Sequence, residues 1–320
     1  MSLQNKLTRY TGKTTEYQYN FLWKKFCTFL ESKSWLKDLN VRYVYEYFSY
    51  LIDCGYNYNS LLCVRSALTK PLKYLLNFDF LNDPYMESIF TFAKVNCKKR
   101  DSYFPSWSLD KVMGMFESDT YKSLCLRNLE YSLLKDFFLV LMACPKRISE
   151  FHLLSISEIV YHNDGSVTLK PTKDFVKKNH TASFKPVDIS IKPLLCKPVL
   201  CPVKALNHYL FFTKKLCIQH KRQRPDNLWI NKNLKPASKA NLRNWLRRVV
   251  LEADPTACKQ NIKFHSTRGV AASVLYKNFD IHTVLSQMQW KSSSTFFKYY
   301  YRPDLQANSI MSIAGLNVNV

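Results

Sequence analysis

The string His265-Ser266-Thr267-Arg268 sets an imidazole and a guanidinium three residues apart. That spacing puts both on one face of a helix. Trp290 follows 22 residues after Arg268, and Tyr299-Tyr300-Tyr301 comes soon after it. A guanidinium grips phosphodiester oxygens with a planar, permanently charged fork. An imidazole can accept a proton at neutral pH, and a phenol relieved of its proton can attack phosphorus. These residue types could therefore hold a phosphodiester and open it with a tyrosine, given a fold that gathers them. Three consecutive tyrosines on a helix point about 100° apart, so at least one is expected to reach a polar place.

Further candidates lie upstream. Arg147, in Lys146-Arg147-Ile148-Ser149-Glu150, stands at an expected helix start after Pro145, where backbone N–H groups also favour an anion. Lys173, in Pro171-Thr172-Lys173-Asp174, leaves the second strand of an expected hairpin. A lysine there can reach a departing oxygen and protonate it. Lys170, Lys177 and Lys178 are its neighbours, and each of the four suits a charged hairpin edge equally well. Arg243, Arg247 and Arg248 fall opposite the apolar side of their helix, facing either solvent or DNA phosphates. Lys98-Lys99-Arg100 adds a basic run at an expected domain boundary.

The elements that must position these residues can be read from period and punctuation. Residues 1–98 read as an all-helical unit. A helix carries Tyr17, Phe21, Trp23, Phe26 and Phe29 behind Thr14-Thr15, and others run near Val41–Ile52, Ser60–Leu75 and Pro84–Ala93. Residues 99–105, basic and closed by Pro105, read as the linker to a second domain over 106–320. There Ser108 caps an expected helix Leu109–Glu117. A longer helix is expected from Leu126 to Ala143 and a further one from Ile148 to Leu154. The period then changes. Ile159-Val160-Tyr161, Val167-Thr168-Leu169 and Val187–Ile191 read as three antiparallel strands, with Asp164-Gly165 turning the first hairpin. Helices resume after Cys201-Pro202 and again after Ser238. In the latter, Leu242, Trp245, Leu246, Val249 and Val250 form an inward face. Gly269 to Leu275 is a small-residue helix that lets the His265–Arg268 pair sit against the core, at its exposed start. The fold class expected is mainly α with a small antiparallel β-sheet.

Composition narrows the function. The chain has 320 residues and a net charge of +23. Such self-repulsion implies a polyanionic partner, and most of the excess lies beyond residue 98. Gly numbers only 6, with no GxGxxG and no GxxxxGK[ST], which argues against nucleotide binding. The 10 Cys include no CxxC pairs, so zinc is not expected and a reducing, intracellular compartment is. The longest apolar run, Phe137 to Cys144, is too short to cross a membrane, and no membrane partner is expected.

The ordered set resembles the tyrosine recombinase (phage-integrase-like) family. That set is Arg in K-R-I-S-E, Lys at a hairpin, H-x-x-R, Trp where many members carry His, and then a tyrosine. The resemblance covers about residues 105–303. The finer pattern, with H-S-x-R-x-x-A-x-S and W-x-S-x-S-T-F-x-K-x-Y, is similar to eukaryotic mobile-element recombinases of the DIRS, Ngaro and Crypton kinds. It implies an all-helical core-binding domain (1–98) and a mixed α+β catalytic domain closing on double-stranded DNA as a homotetramer. It implies DNA cleavage and rejoining through a 3′-phosphotyrosyl link, with no metal, nucleotide or other cofactor. Arg147 and Arg268 would clamp the phosphate, with His265 and Trp290 beside it. Lys173 would protonate the leaving group and a tyrosine would attack. In the commonest bacterial spacing the nucleophile is Tyr299. In the mobile-element spacing it is Tyr300, which the following Arg302-Pro303 supports. A nuclear location is expected in a eukaryote and a cytoplasmic one otherwise. A catalytically inactive, domesticated DNA-binding protein and a monomeric type IB-like topoisomerase are the alternatives.

Overall fold

The computed structural model describes residues 13–35, 39–97, 107–173, 175, 188 and 190–302. The chain divides into two compact units, Met1–Ser102 and Tyr103–Val320. Among the described residues no helix is long and apolar enough to cross a membrane.

The first unit holds four described helices: α1 (Lys13–Ser32), α2 (Val41–Asp53), α3 (Tyr58–Leu76) and α4 (Pro84–Asn96). Their starts are written in the sequence. The Asn57 side chain accepts from the Ser60 N–H and Asp83 from the Met86 N–H, with Pro84 as the first helical residue. The apolar stripes meet in a core built largely of rings. Phe26 packs on Tyr47, and Phe48 on Phe80 and Phe90. Each such burial stabilises by roughly 1.5–3 kcal/mol.

The second unit begins with α5 (Leu109–Glu117), where the Ser108 hydroxyl accepts from the Lys111 N–H. The helix expected over Leu126–Ala143 starts three residues later, as α7 (Leu129–Ala143), and is preceded by a helix that was not expected, α6 (Asp119–Arg127). Asn128 separates them. It takes an extended conformation, and its side chain accepts from the Glu130 N–H, so a capping residue inside a helix-compatible pattern wins over the pattern. The segment after Pro145 is also shorter than expected, a single turn α8 (Ile148–Phe151). Three short strands follow in the order β1-β2-β3, all antiparallel: β1 (Val160–Tyr161), β2 (Val167–Thr168) and β3 (Ser190–Ile191). Gly165 turns the hairpin at φ +76°, but the loop runs over residues 162–166 rather than two residues, closed by His162 N–H to Ser166 O at 2.9 Å.

Five helices complete the unit: α9 (Pro202–Gln219), α10 (Lys239–Ala253), α11 (Ser266–Asn278), α12 (Ile281–Met288) and α13 (Ser293–Tyr299). Ser238 and Asn241 form a reciprocal capping box at the start of α10. Its Leu242, Leu246, Val249 and Val250 are buried, and Trp245 lies half-buried against Phe137. Helix α9 packs along α7, joined by the buried Asp136 carboxylate and the His208 ring. Helix α11 is buried from Ser266 to Leu275, which its small residues permit.

Candidate catalytic site

Three stretches of the second unit converge at the start of α11. His265 is the residue before its first turn, in helical conformation (φ −67°, ψ −23°), and one turn later comes Arg268. The pair does share a face, but only its His265 end is exposed: Arg268 is only 3% exposed, whereas His265 keeps part of its surface in solvent. The Arg268 guanidinium donates to the carbonyls of Pro145 and Met288, each at 2.8 Å. The first acceptor lies in the proline break before α8, the second at the end of α12. One side chain thus ties three elements together and is itself held rigid. Burial, more than any neighbouring charge, pulls its pKa below the usual guanidinium value.

Pro145 has a second consequence. It ends the run from α7 and places Arg147 at the N-cap of α8. Arg147 donates to Glu150 at 3.1 Å, keeping its guanidinium partly exposed while the carboxylate is buried. Burial first, and then the positive charges of Arg268, Arg147 and Arg302, hold the His265 pKa below the ordinary imidazole value. Its neutral, proton-accepting form therefore prevails at neutral pH.

The phenol arrives from the third stretch. Helix α13 is capped by Ser292, whose hydroxyl accepts from the Ser294 N–H, and it ends at Tyr299. The three tyrosines are therefore not all on a helix, contrary to the expectation. The Tyr300 and Tyr301 N–H groups both donate to the Phe296 carbonyl, at 2.8 and 2.9 Å. The chain turns there and the side chains separate. Tyr299 is 50% exposed, with the Lys298 ammonium over its ring. Tyr301 packs against Tyr276, Phe296 and Phe297. Tyr300 turns inward, its hydroxyl 2.9 Å from His265 Nε2. Its ring stacks on Trp290 with centroids 4.2 Å apart and planes 27° from parallel. Trp290 is buried, lies under the Arg268 guanidinium at 5.3 Å, and has an indole N–H without a hydrogen-bond partner.

The structure thus brings together Arg147, His265, Arg268, Trp290 and Tyr300. It does not bring Lys173 to them. That side chain is 85% exposed, and its ammonium lies 3.6 Å from Glu158. It leaves the sheet just after β2, where no described contact turns it inward. Of the basic residues expected to meet DNA, Arg243 is exposed. Arg247 reaches the Ile262 carbonyl at 3.4 Å. Arg248 bonds Glu130 and covers the Tyr131 ring. Lys98, Lys99 and Arg100 lie outside the described residues. Among the described residues no cluster of His, Cys, Asp and Glu is arranged to hold a metal ion.

Sequence reasoning missed several participants. The Pro145 and Met288 carbonyls are backbone groups and leave no residue signature. Arg302 is buried and close enough to act on His265, although in the sequence it served only to choose between tyrosine spacings. Gly269 did carry a signal. Glycine inside a helix costs about 1 kcal/mol, and this chain has only six, so one directly after Arg268 marks a close approach.

A helical unit joined to a mainly helical one with a three-stranded sheet, and a cluster of arginine, histidine and tyrosine in the second, define a class. The chain belongs to the phage integrase family of tyrosine recombinases, whose model matches residues 116–306. Its fold is similar to that of lambda integrase in a dimer bound to a COC′ core site, with 16% identity, 97% of this chain and 99% of that one covered, and a TM-score of 0.55. It is also similar to the Tn1549 transposon integrase in complex with transposon right end DNA, with 10% identity, 95% of each chain covered and a TM-score of 0.55. No curated protein matches the chain.

Proposed function

We propose that the protein is a site-specific DNA recombinase of a mobile element, acting on duplex DNA through Tyr300. The observation that carries this reading is the 2.9 Å contact between the Tyr300 hydroxyl and His265 Nε2, set between two arginines. The Tyr300 oxygen attacks the scissile phosphorus, and its proton passes to His265 Nε2. The bond from phosphorus to the 5′-oxygen breaks, and a 3′-phosphotyrosyl ester forms. The departing 5′-oxygen takes a proton, for which Lys173 is the donor in this reading, after its turn has moved onto the bound DNA. Arg147 and Arg268 carry the charge that builds on the non-bridging oxygens, and the Trp290 N–H adds a donor. Rejoining is the reverse reaction, with the phenol as leaving group, so the ester conserves the bond energy and no nucleotide is consumed.

The DNA-bound states of the lambda and Tn1549 integrases and the net charge of +23 support duplex DNA as the partner. Exchange of both strands of two duplexes opens four phosphodiesters and calls for four copies of the site, hence a homotetramer on DNA.

The test is incubation with a labelled duplex nicked beside the cleavage site, in the presence of a metal chelator. Escape of the short 5′-ended fragment traps the covalent adduct. An adduct that survives denaturation is expected. DNA binding without adduct on a library of sequences would favour the non-catalytic reading, and relaxation of supercoils by dilute monomer would favour a topoisomerase.

A further inference from the structure

Arg302 is a cation that the reaction above does not use, and it is 6% exposed. Burying a guanidinium costs several kcal/mol unless something offsets it, and an apolar side chain would fill the same space. Burial brings its pKa down to about 10, so it stays charged at neutral pH. The edge of its guanidinium between Nε and Nη2 is turned toward Gly269. A methyl group there would stand 2.6 Å from Arg302 Nε and 2.9 Å from Nη2, so the buried guanidinium would have to move. Gly269 adjoins Arg268 on α11. Four residues further along the same helix, the Ser273 hydroxyl donates to the Tyr300 carbonyl at 3.2 Å and accepts from the Arg302 N–H at 2.9 Å.

We propose that Arg302 is a positioning residue. Together with Gly269 and Ser273 it latches the chain at Tyr300 and directly after it to α11, fixing where the phenol stands relative to His265 and Arg268. This rests on the reading of Tyr300 as nucleophile. The latch joins the nucleophile to its proton acceptor through one rigid helix, so the phenol is delivered to the site of its own chain. Only glycine at 269 lets the planar guanidinium lie close enough. Arg302 also adds positive charge beside His265. The other groups facing that ring are Arg147 before α8, Arg268 on α11 and the Tyr300 phenol, with Glu150 bonded to Arg147.

The experiment compares single-turnover adduct formation on the nicked duplex across pH for the full chain and for Arg302→Met, Arg302→Lys, Gly269→Ala and the Gly269→Ala/Arg302→Met pair. DNA affinity, thermal melting and NMR titration of the histidine rings are followed in parallel. Arg302→Met should slow cleavage on the order of 10²-fold, the scale of a 1 Å misplacement, with DNA affinity unchanged. The His265 titration and the acid limb of the rate should both move to higher pH, because a neighbouring cation is gone. Arg302→Lys should keep the acid limb in place and recover part of the rate. Gly269→Ala should be damaging alone but nearly silent once Arg302 is methionine, because the two share one contact. The latch is overturned if Arg302→Met leaves rate and titration unmoved. It is also overturned if its defect is wholly one of DNA affinity, or if Gly269→Ala is equally harmful in both backgrounds. Should Arg302→Met fail to fold, Arg302→Lys and Gly269→Ala decide, and a wild-type rate in both counts against the latch. Failure of the unsubstituted chain to form any adduct would refute the catalytic reading instead, while the His265 titration still reports on the latch.

Discussion

The Tyr300 hydroxyl stands 2.9 Å from His265 Nε2, across 35 residues of sequence. The imidazole is held toward its neutral form by burial and by three surrounding guanidiniums. An acceptor thus faces a donor in a field that would stabilise the phenolate.

The first expectation concerns pH. A lowered His265 pKa means that the neutral ring persists below the ordinary value of 6.5, and the capacity to accept a proton is lost only as pH falls through that lowered value. Adduct formation should be flat between about pH 7 and 8 and decline below the usual imidazole range. His265→Gln should abolish the acid limb and slow cleavage by roughly 10²–10⁴-fold. A midpoint above pH 7 in the unsubstituted protein would contradict the assignment.

The two arginines should separate in a denaturation experiment. Arg268 satisfies two buried carbonyls, and leaving each of them unpaired costs about 1–3 kcal/mol. Arg268→Ala should therefore lower stability on that scale, and Arg268→Lys should fail to serve both acceptors. Arg147 is partly exposed, but its partner Glu150 is buried, so Arg147→Ala strands a buried carboxylate and should cost about 3–5 kcal/mol, most of it recovered in Arg147→Ala/Glu150→Gln. Both alanine variants should lose cleavage by about 10²–10³-fold. Urea melts paired with adduct assays read both effects. Recovery of the Arg268→Ala loss by Glu150→Gln, or no recovery of the Arg147→Ala loss, would be inconsistent with the contacts described.

Much of this was legible in the residues. Ser108 and Ser238 announce their helices, and Gly165 announces its turn. The residue types at 147, 265, 268, 290 and 300 point to one chemistry. What was not legible depended on tertiary context. The break at Asn128 hides inside a continuous mix of apolar and charged residues that a helix could carry throughout, because the residue is a cap only where the chain turns. The end of α13 at Tyr299 depends on the Phe296 carbonyl taking two N–H donors, which no side chain advertises. Arg302 reads as a surface residue until Gly269 is seen beneath it.

Trp290 offers a third test. Its ring supports Tyr300 and its indole N–H is unpaired. Trp290→Phe should preserve the stack and most of the stability while slowing cleavage through loss of a donor. Trp290→Ala should destabilise by about 3–5 kcal/mol through the cavity it leaves. A phenylalanine variant that cleaves at the unsubstituted rate would remove the N–H from the account.

Lys173, exposed beside Glu158, is tested by changing the leaving group. Lys173→Ala should be slow on an ordinary duplex and recover on one with sulfur at the 5′-bridging position, since a thiolate departs without a proton. A defect of equal size on both substrates would remove Lys173 from that role.

DNA affinity should fall linearly with the logarithm of salt concentration, by about 0.9 in slope for each phosphate neutralised. Arg243→Ala, which removes an exposed cation, should reduce the slope by about one. Arg248→Ala should change it little, because Glu130 and Tyr131 already hold that side chain. The opposite ranking would show that the helix meets DNA with its other residues.

The most direct measurement is to digest the trapped protein–DNA adduct and identify the modified residue by mass spectrometry, alongside Tyr300→Phe and Tyr299→Phe. The nucleotide is expected on Tyr300, with adduct lost in Tyr300→Phe and retained in Tyr299→Phe. A nucleotide on Tyr299, or an undiminished adduct in Tyr300→Phe, would contradict the geometry on which the whole assignment is built.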